Sequence, residues 1–285
     1  MGTWEFPLVL FTVLGQWAIG LALMLTLIEY FYPAVVNEAA KKQFRLGGMV
    51  VFPMLAVGLL FSIFHLGQPL VAYRAIMNLG QSMLSMEILS FLIVSFLAFI
   101  YSYLWWKIPE KASRKIMGLG LSIVGLIAVV ISGQVYTLPA RLAWDTWQTT
   151  AGFILTAFIL GAVSVAFLLS RVEDEGGQKA KKALGWIIMG SVVCILVAIA
   201  SFAQTYGASE EQTAAIAATF SSHFFLTRLI LGLLLPITFA GLLIAGGKNR
   251  YRHTVAAITL AGVVFGEVAG RILFYSSVIT QYPWF

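Results

Sequence analysis

Glu87 stands at the mouth of a run, Ile88 to Trp106, that carries no charge for 19 residues. An ionisable group in such a place is costly to bury and marks a candidate functional site. Twenty-two residues earlier, His65 closes another apolar run, and it is one of only 3 histidines in the chain. A neutral imidazole accepts a hydrogen bond and then the proton behind it. A carboxylate withdrawn from water holds its proton more tightly than one in solution, which brings it nearer the range useful to a base. The stretch Phe64–Leu89, FHLGQPLVAYRAIMNLGQSMLSMEIL, therefore reads as one wall of a site that handles protons at a membrane face. Arg74 lies between the two residues as a candidate ligand-binding charge, and Glu267 with Arg271 forms a second acid–base couple four residues apart in another apolar run.

The elements that must position these residues follow from composition. The chain has 285 residues, 60% hydrophobic and 11% charged. Soluble domains carry roughly 25% charged residues, so a soluble globular protein is excluded. The net charge of +6 does not indicate nucleic acid, because the basic residues stand in short clusters between apolar runs. The single cysteine, Cys194, excludes an internal disulfide and an iron–sulfur cluster held by this chain alone, and it reads as a small buried hydrophobe. The first apolar run lacks a basic leader and is expected to be a retained helix.

A helix needs about 20 apolar residues to cross a bilayer. Eight runs qualify, at 6–31, 45–65, 82–106, 114–136, 148–170, 182–206, 224–246 and 254–276, forming a single integral-membrane domain, residues 1–285. The expected fold is an all-α bundle of eight transmembrane helices. Fourteen of the 18 Lys and Arg fall in the spacers after runs one, three, five and seven or at their edges. Basic loops stay in the cytoplasm, so both termini are expected on the outer, periplasmic side of an inner (cytoplasmic) membrane. Trp4, Trp105, Trp106, Trp144, Trp147 and Trp284 lie near span ends and read as interfacial anchors. Gly262, Gly266 and Gly270 make a close-packing stripe.

This topology gathers His65, Arg74, Glu87, Arg141, Asp145, His223, Arg228, Glu267 and Arg271 towards the outer face. Each has a purely structural alternative: His65 as a helix cap, Glu87 paired with an arginine, Glu267 and Arg271 as a supporting ion pair, His223 in a solvated loop. His253, among basic residues on the other side, reads as surface. A histidine and a carboxylate at one interface suit a hydroquinone, which releases two protons and two electrons on oxidation and reaches its site sideways from the lipid. No histidine pair suits a haem, so no cofactor and no metal is expected on this chain and the electrons must pass to a partner. A secondary transporter using Glu87 and Glu267 is the rival reading. Transporters place such sites near the midplane on broken helices, whereas these acids lie nearer one face.

The chain resembles the membrane-anchor subunits of dimethyl sulfoxide reductase-type molybdoenzymes over nearly its whole length. The match is carried by WEFPLVLFTVLGQ at 4–16, HLGQP at 65–69, SMLSMEI at 82–88 and GEVAGRILFY at 266–275. This resemblance implies an eight-helix anchor without haem and a quinol site near the outer face that uses His65 and Glu87. It implies docking to an iron–sulfur electron-transfer subunit that feeds a molybdopterin catalytic subunit, with menaquinol as the usual donor. The related polysulfide- or nitrite-reductase type of anchor is the nearest alternative, sometimes running towards quinone reduction.

Overall fold

The computed structural model describes residues 6–36, 40–64, 73–74, 78–108, 113–139, 141, 143–205, 217, 219–246 and 252–276. Eight helices in it are long and apolar enough to cross a membrane. They are α1 (Phe6–Phe31), α2 (Lys41–Phe64), α3 (Met83–Lys107), α4 (Ser113–Val135), α5 (Trp147–Leu168), α6 (Glu175–Thr205), α7 (His223–Ala245) and α8 (Arg252–Ser276). Among the described residues there is no β-strand. The helices alternate in direction. The ends near Lys107, Arg114 and Arg252 form a basic end, and the end where α3 and α7 begin is called the site end below. His65 lies outside the described residues.

The first helix is the axis of the bundle. It is apolar all round apart from a few polar groups, and such a helix has no face suited to an exterior position. Its buried share is the largest of the eight spans, and it packs against α2, α4, α5 and α8. Small residues make this possible, since helices in lipid associate by close packing rather than by a hydrophobic drive. A Cβ on Gly20 would collide with the carbonyl of Ala157, and one on Gly161 with the backbone of Gly20. The α1–α5 crossing is thus backbone on backbone, and Trp17 Nε1 donates to Ser164 Oγ at 2.7 Å beside it.

Proline shapes two helices. In α2, Pro53 interrupts the helical hydrogen-bond ladder. The Ser102 hydroxyl of α3 steps in there, accepting from the Phe52 N–H at 3.0 Å and donating to the Gly48 carbonyl at 2.8 Å. In α7, a π-helical segment, Arg228–Leu234, precedes Pro236, and the Leu235 N–H donates to Ile230 O, five residues back. Pro236 has no N–H to give and its ring crowds the carbonyl four residues before it, so the wider turn relieves the clash. The glycine stripe of α8 packs on this segment. A Cβ on Gly266 would collide with Gly232, and one on Gly270 would come 3.0 Å from the Arg228 side chain.

Several expectations change. Trp105 and Trp144 are buried inside the bundle, while Trp106 and Trp147 are exposed as anchors should be; Trp4 and Trp284 lie outside the described residues. Trp105 is drawn inwards by Arg114, whose guanidinium carbon sits 4.0 Å from its ring centre, and Trp144 by the Phe274 carbonyl, which its Nε1 reaches at 2.8 Å. Cys194 is exposed on α6; in a membrane protein an apolar side chain loses nothing by facing lipid. His253 is half-buried rather than surface: its ring stacks 5.0 Å from Phe167 and Nδ1 lies 2.7 Å from Ser170 Oγ. Helix α6 begins at Glu175, a turn or more before the expected 182, because its polar first turns are held by a Glu175–Lys179 pair at 2.7 Å.

Candidate functional site

Glu87 is the fifth residue of α3, so at 1.5 Å per residue it lies roughly 6 Å below the site end. It is only 6% exposed. Its carboxylate accepts a 2.5 Å hydrogen bond from Ser132 Oγ near the end of α4. Ser90, one turn on, spends its hydroxyl on the Glu87 carbonyl at 2.8 Å. A serine is a neutral partner. Among the described residues no ion pair joins Glu87 to an arginine, which corrects the structural alternative weighed for it. Arg74 is exposed, on a short 3₁₀ turn beside Tyr73.

Ser132 opens onto a buried polar cluster. One turn on from Ser132, Tyr136 accepts a hydrogen bond from the Tyr275 hydroxyl of α8 at 2.8 Å. Aromatic rings pack around them: Trp144 stacks on Phe274 at 5.1 Å, and Phe153 and Phe274 sit 5.6 and 5.4 Å from Tyr136.

The expected Glu267–Arg271 couple is rearranged. Glu267 makes its ion pair with Arg228 of α7 and accepts from Thr156 Oγ1 of α5 at 2.7 Å. Arg271 instead donates to Gln16 Oε1 of α1 at 2.7 Å and lays its guanidinium 3.7 Å from the Phe153 ring centre. The physical reason is the π segment with the glycine stripe. Gly232, Gly266 and Gly270 let α7 and α8 approach closely, and the Arg228 side chain fills the space above Gly270. In sequence terms Arg228 stands at the outer edge without a role. The signal for it is an unmatched cation a few residues into the seventh apolar run, facing an acid in the eighth.

Comparisons with known proteins give the family. The family model described as DMSO reductase anchor subunit (DmsC) matches residues 1–277. The chain belongs to the DMSO reductase anchor subunit family. It is 28% identical over 281 residues to the anaerobic dimethyl sulfoxide reductase protein YnfH of Escherichia coli K12, covering 96% of this sequence and 95% of that one. It is 25% identical over 284 residues to a second anaerobic dimethyl sulfoxide reductase subunit of the same organism, at 96% and 95% coverage. An anaerobic dimethyl sulfoxide reductase subunit of Haemophilus influenzae is 28% identical over 203 residues, or 70% of each sequence. Arg141, expected near this face, is folded back over Trp144 with its guanidinium carbon 4.7 Å from the ring centre, and Asp145 is exposed.

Proposed function

We propose that this anchor subunit oxidises a membrane quinol at the site end, with menaquinol as the donor, and hands the electrons to an iron–sulfur partner. The observation that carries the reading is Glu87, buried in α3 and held, among the described residues, by the Ser132 hydroxyl rather than by a cation. A cation beside it would make it a structural ion pair; a serine leaves it free to gain and lose a proton. His65 accepts a hydrogen bond from one quinol hydroxyl, and Glu87 takes protons and passes them to water at the near face. Each quinol gives up two protons there and two electrons, the latter leaving through the partner's nearest cluster towards a molybdopterin catalytic subunit. Arg74, exposed at the same end, serves as a binding or docking charge. The basic asymmetry of the loops supports a periplasmic site end, with the partner subunits on that face. The placement of Glu87 near one face, not at the midplane, argues against the transporter alternative.

The test is donor-specific activity of the whole complex in membranes. Loss of one hydrogen bond to a group that develops charge costs about 1.5–3 kcal/mol, roughly a 10- to 200-fold loss of rate or affinity. Glu87→Gln and His65→Ala are expected to lose quinol-dependent reduction by that factor while a dye donor, which reaches the catalytic partner directly, keeps its rate. A wild-type quinol rate in assembled Glu87→Gln returns Glu87 to a structural role. Reporter fusions at 32–44, 107–113, 171–181 and 247–253 are expected to report cytoplasm; a periplasmic signal at any of them inverts the orientation.

A further inference from the structure

A separate cavity of about 210 Å³ lies between α5, α6, α7 and α8 at the site end. Five phenylalanines, Phe153, Phe202, Phe220, Phe225 and Phe274, line it together with aliphatic and threonine side chains. Three charged residues, Arg228, Glu267 and Arg271, are the only ionisable groups among its described lining residues. Glu267 is nine residues before the end of α8, so this polar floor is roughly 13 Å below the helix end. All three residues are more than nine-tenths buried. Two cations meet one anion, and among the described residues the Arg271 Nε and the Gln148 Oε1 in the lining have no hydrogen-bond partner. A buried guanidinium with a spare N–H is costly unless something accepts from it.

We propose that this cavity is a second binding site for a lipid-soluble quinone ring, distinct from the site at Glu87. Size admits the ring: an apolar cavity of roughly 150 Å³ takes a benzene, and this one is larger. The phenylalanine walls offer faces and edges for a planar ring to pack on. The floor offers the chemistry that a ring bearing two oxygens needs. A carbonyl accepts from the spare Arg271 N–H, and a hydroxyl, in the reduced form, donates to Glu267. The depth argues for this occupant over a phospholipid, whose phosphate stays at the bilayer surface while only its tails descend. The inference shares its ligand class with the proposed function but not Glu87, His65 or Arg74, although Phe153 and Phe274 also border the tyrosine cluster beside Ser132, so each can fail alone.

The test is photolabelling of the whole complex in membrane vesicles with an aryl-azide naphthoquinone, followed by peptide mapping. Label is expected on residues 146–156, 219–228 or 267–274, as well as on residues 83–90 at Glu87. A side chain grown from Gly152, on the cavity wall, would meet no atom within 4 Å at its Cβ. Gly152→Leu should therefore fill the cavity and cut label there at least tenfold while leaving the label on 83–90. Ala198→Leu blocks the same space from α6 and serves if the first variant does not reach the membrane. Absence of cavity label in the wild type overturns the proposal, as does undiminished label in the filled variants. Label displaced by added phospholipid but not by unlabelled naphthoquinone assigns the cavity to lipid and also overturns it. Cavity label without label on 83–90 would sustain this inference and count against the role given to Glu87.

Discussion

Among its described residues the bundle holds two buried glutamate–arginine pairs, one at each end, and they are built differently. At the basic end Arg114 of α4 pairs with Glu29 of α1. Its guanidinium lies on Trp105, and Gly48 and Gly118 make room for the surrounding rings and for Thr26. One acid meets one base and no described cavity adjoins them. At the site end Arg228 pairs with Glu267 across α7 and α8, Arg271 adds a second cation, and the group floors a cavity. Unpartnered polar atoms occur at both ends, Glu29 Oε2 at one and Arg271 Nε at the other. The second has a cavity beside it. A charge pair by itself says little about function; what matters is whether anything can reach the hydrogen-bonding capacity it leaves over.

Breaking each pair sharpens this contrast. The largest loss is expected from Arg114→Ala, which strands the buried Glu29 without its ion-pair partner. Removing one partner of such a pair costs about 3–5 kcal/mol, read as lost membrane yield and a lower unfolding temperature in detergent. Arg228→Ala should cost less, about 1–3 kcal/mol, because Arg271 is close by and the cavity admits water to Glu267. If the two variants lose equal stability, the distinction between a closed and an open pair fails. Replacing both partners by apolar residues separates the ends more finely. Glu29→Leu with Arg114→Met is expected to cost under about 2 kcal/mol and to leave quinol-dependent turnover alone, since a buried pair exchanged for well-packed hydrophobes is often neutral. The equivalent Glu267→Leu with Arg228→Met should fold yet lose naphthoquinone label in the cavity. The smallest effect is expected from Trp105→Phe, which keeps a ring beneath Arg114 and should shift stability by no more than about 1 kcal/mol.

How far these features were legible in the sequence differs by scale. Span number was legible because twenty apolar residues between charged spacers admit few other structures. Glu87 was legible because a lone acid beside an uncharged run is conspicuous, but its partner was not. Ser132 is a common residue in an apolar run, and nothing in its neighbourhood marks it as facing α3. The partner of Glu267 is hidden in the sequence for a definite reason. Four-residue spacing made Arg271 the natural mate, and only the close approach of α7 at Gly232 and Gly266 brings Arg228 into range. The tryptophans are ambiguous likewise, since a position near a span end fits both an interfacial anchor and a ring packed inside the bundle, as Trp105 is on Arg114.

A π turn is one residue longer than the α turn it replaces, so α7 carries what amounts to an insertion inside a span. Relative to an uninterrupted helix, one extra residue turns whatever precedes it by about 100°. Deleting a single residue between Arg228 and Leu234 would hardly change length, hydropathy or the count of charges. It would nevertheless swing Arg228 away from α8 and leave Glu267 facing an empty quarter. In an alignment of related chains, a one-residue gap at this place is therefore a marker that sorts those able to build the cavity floor from those that merely share the eight spans.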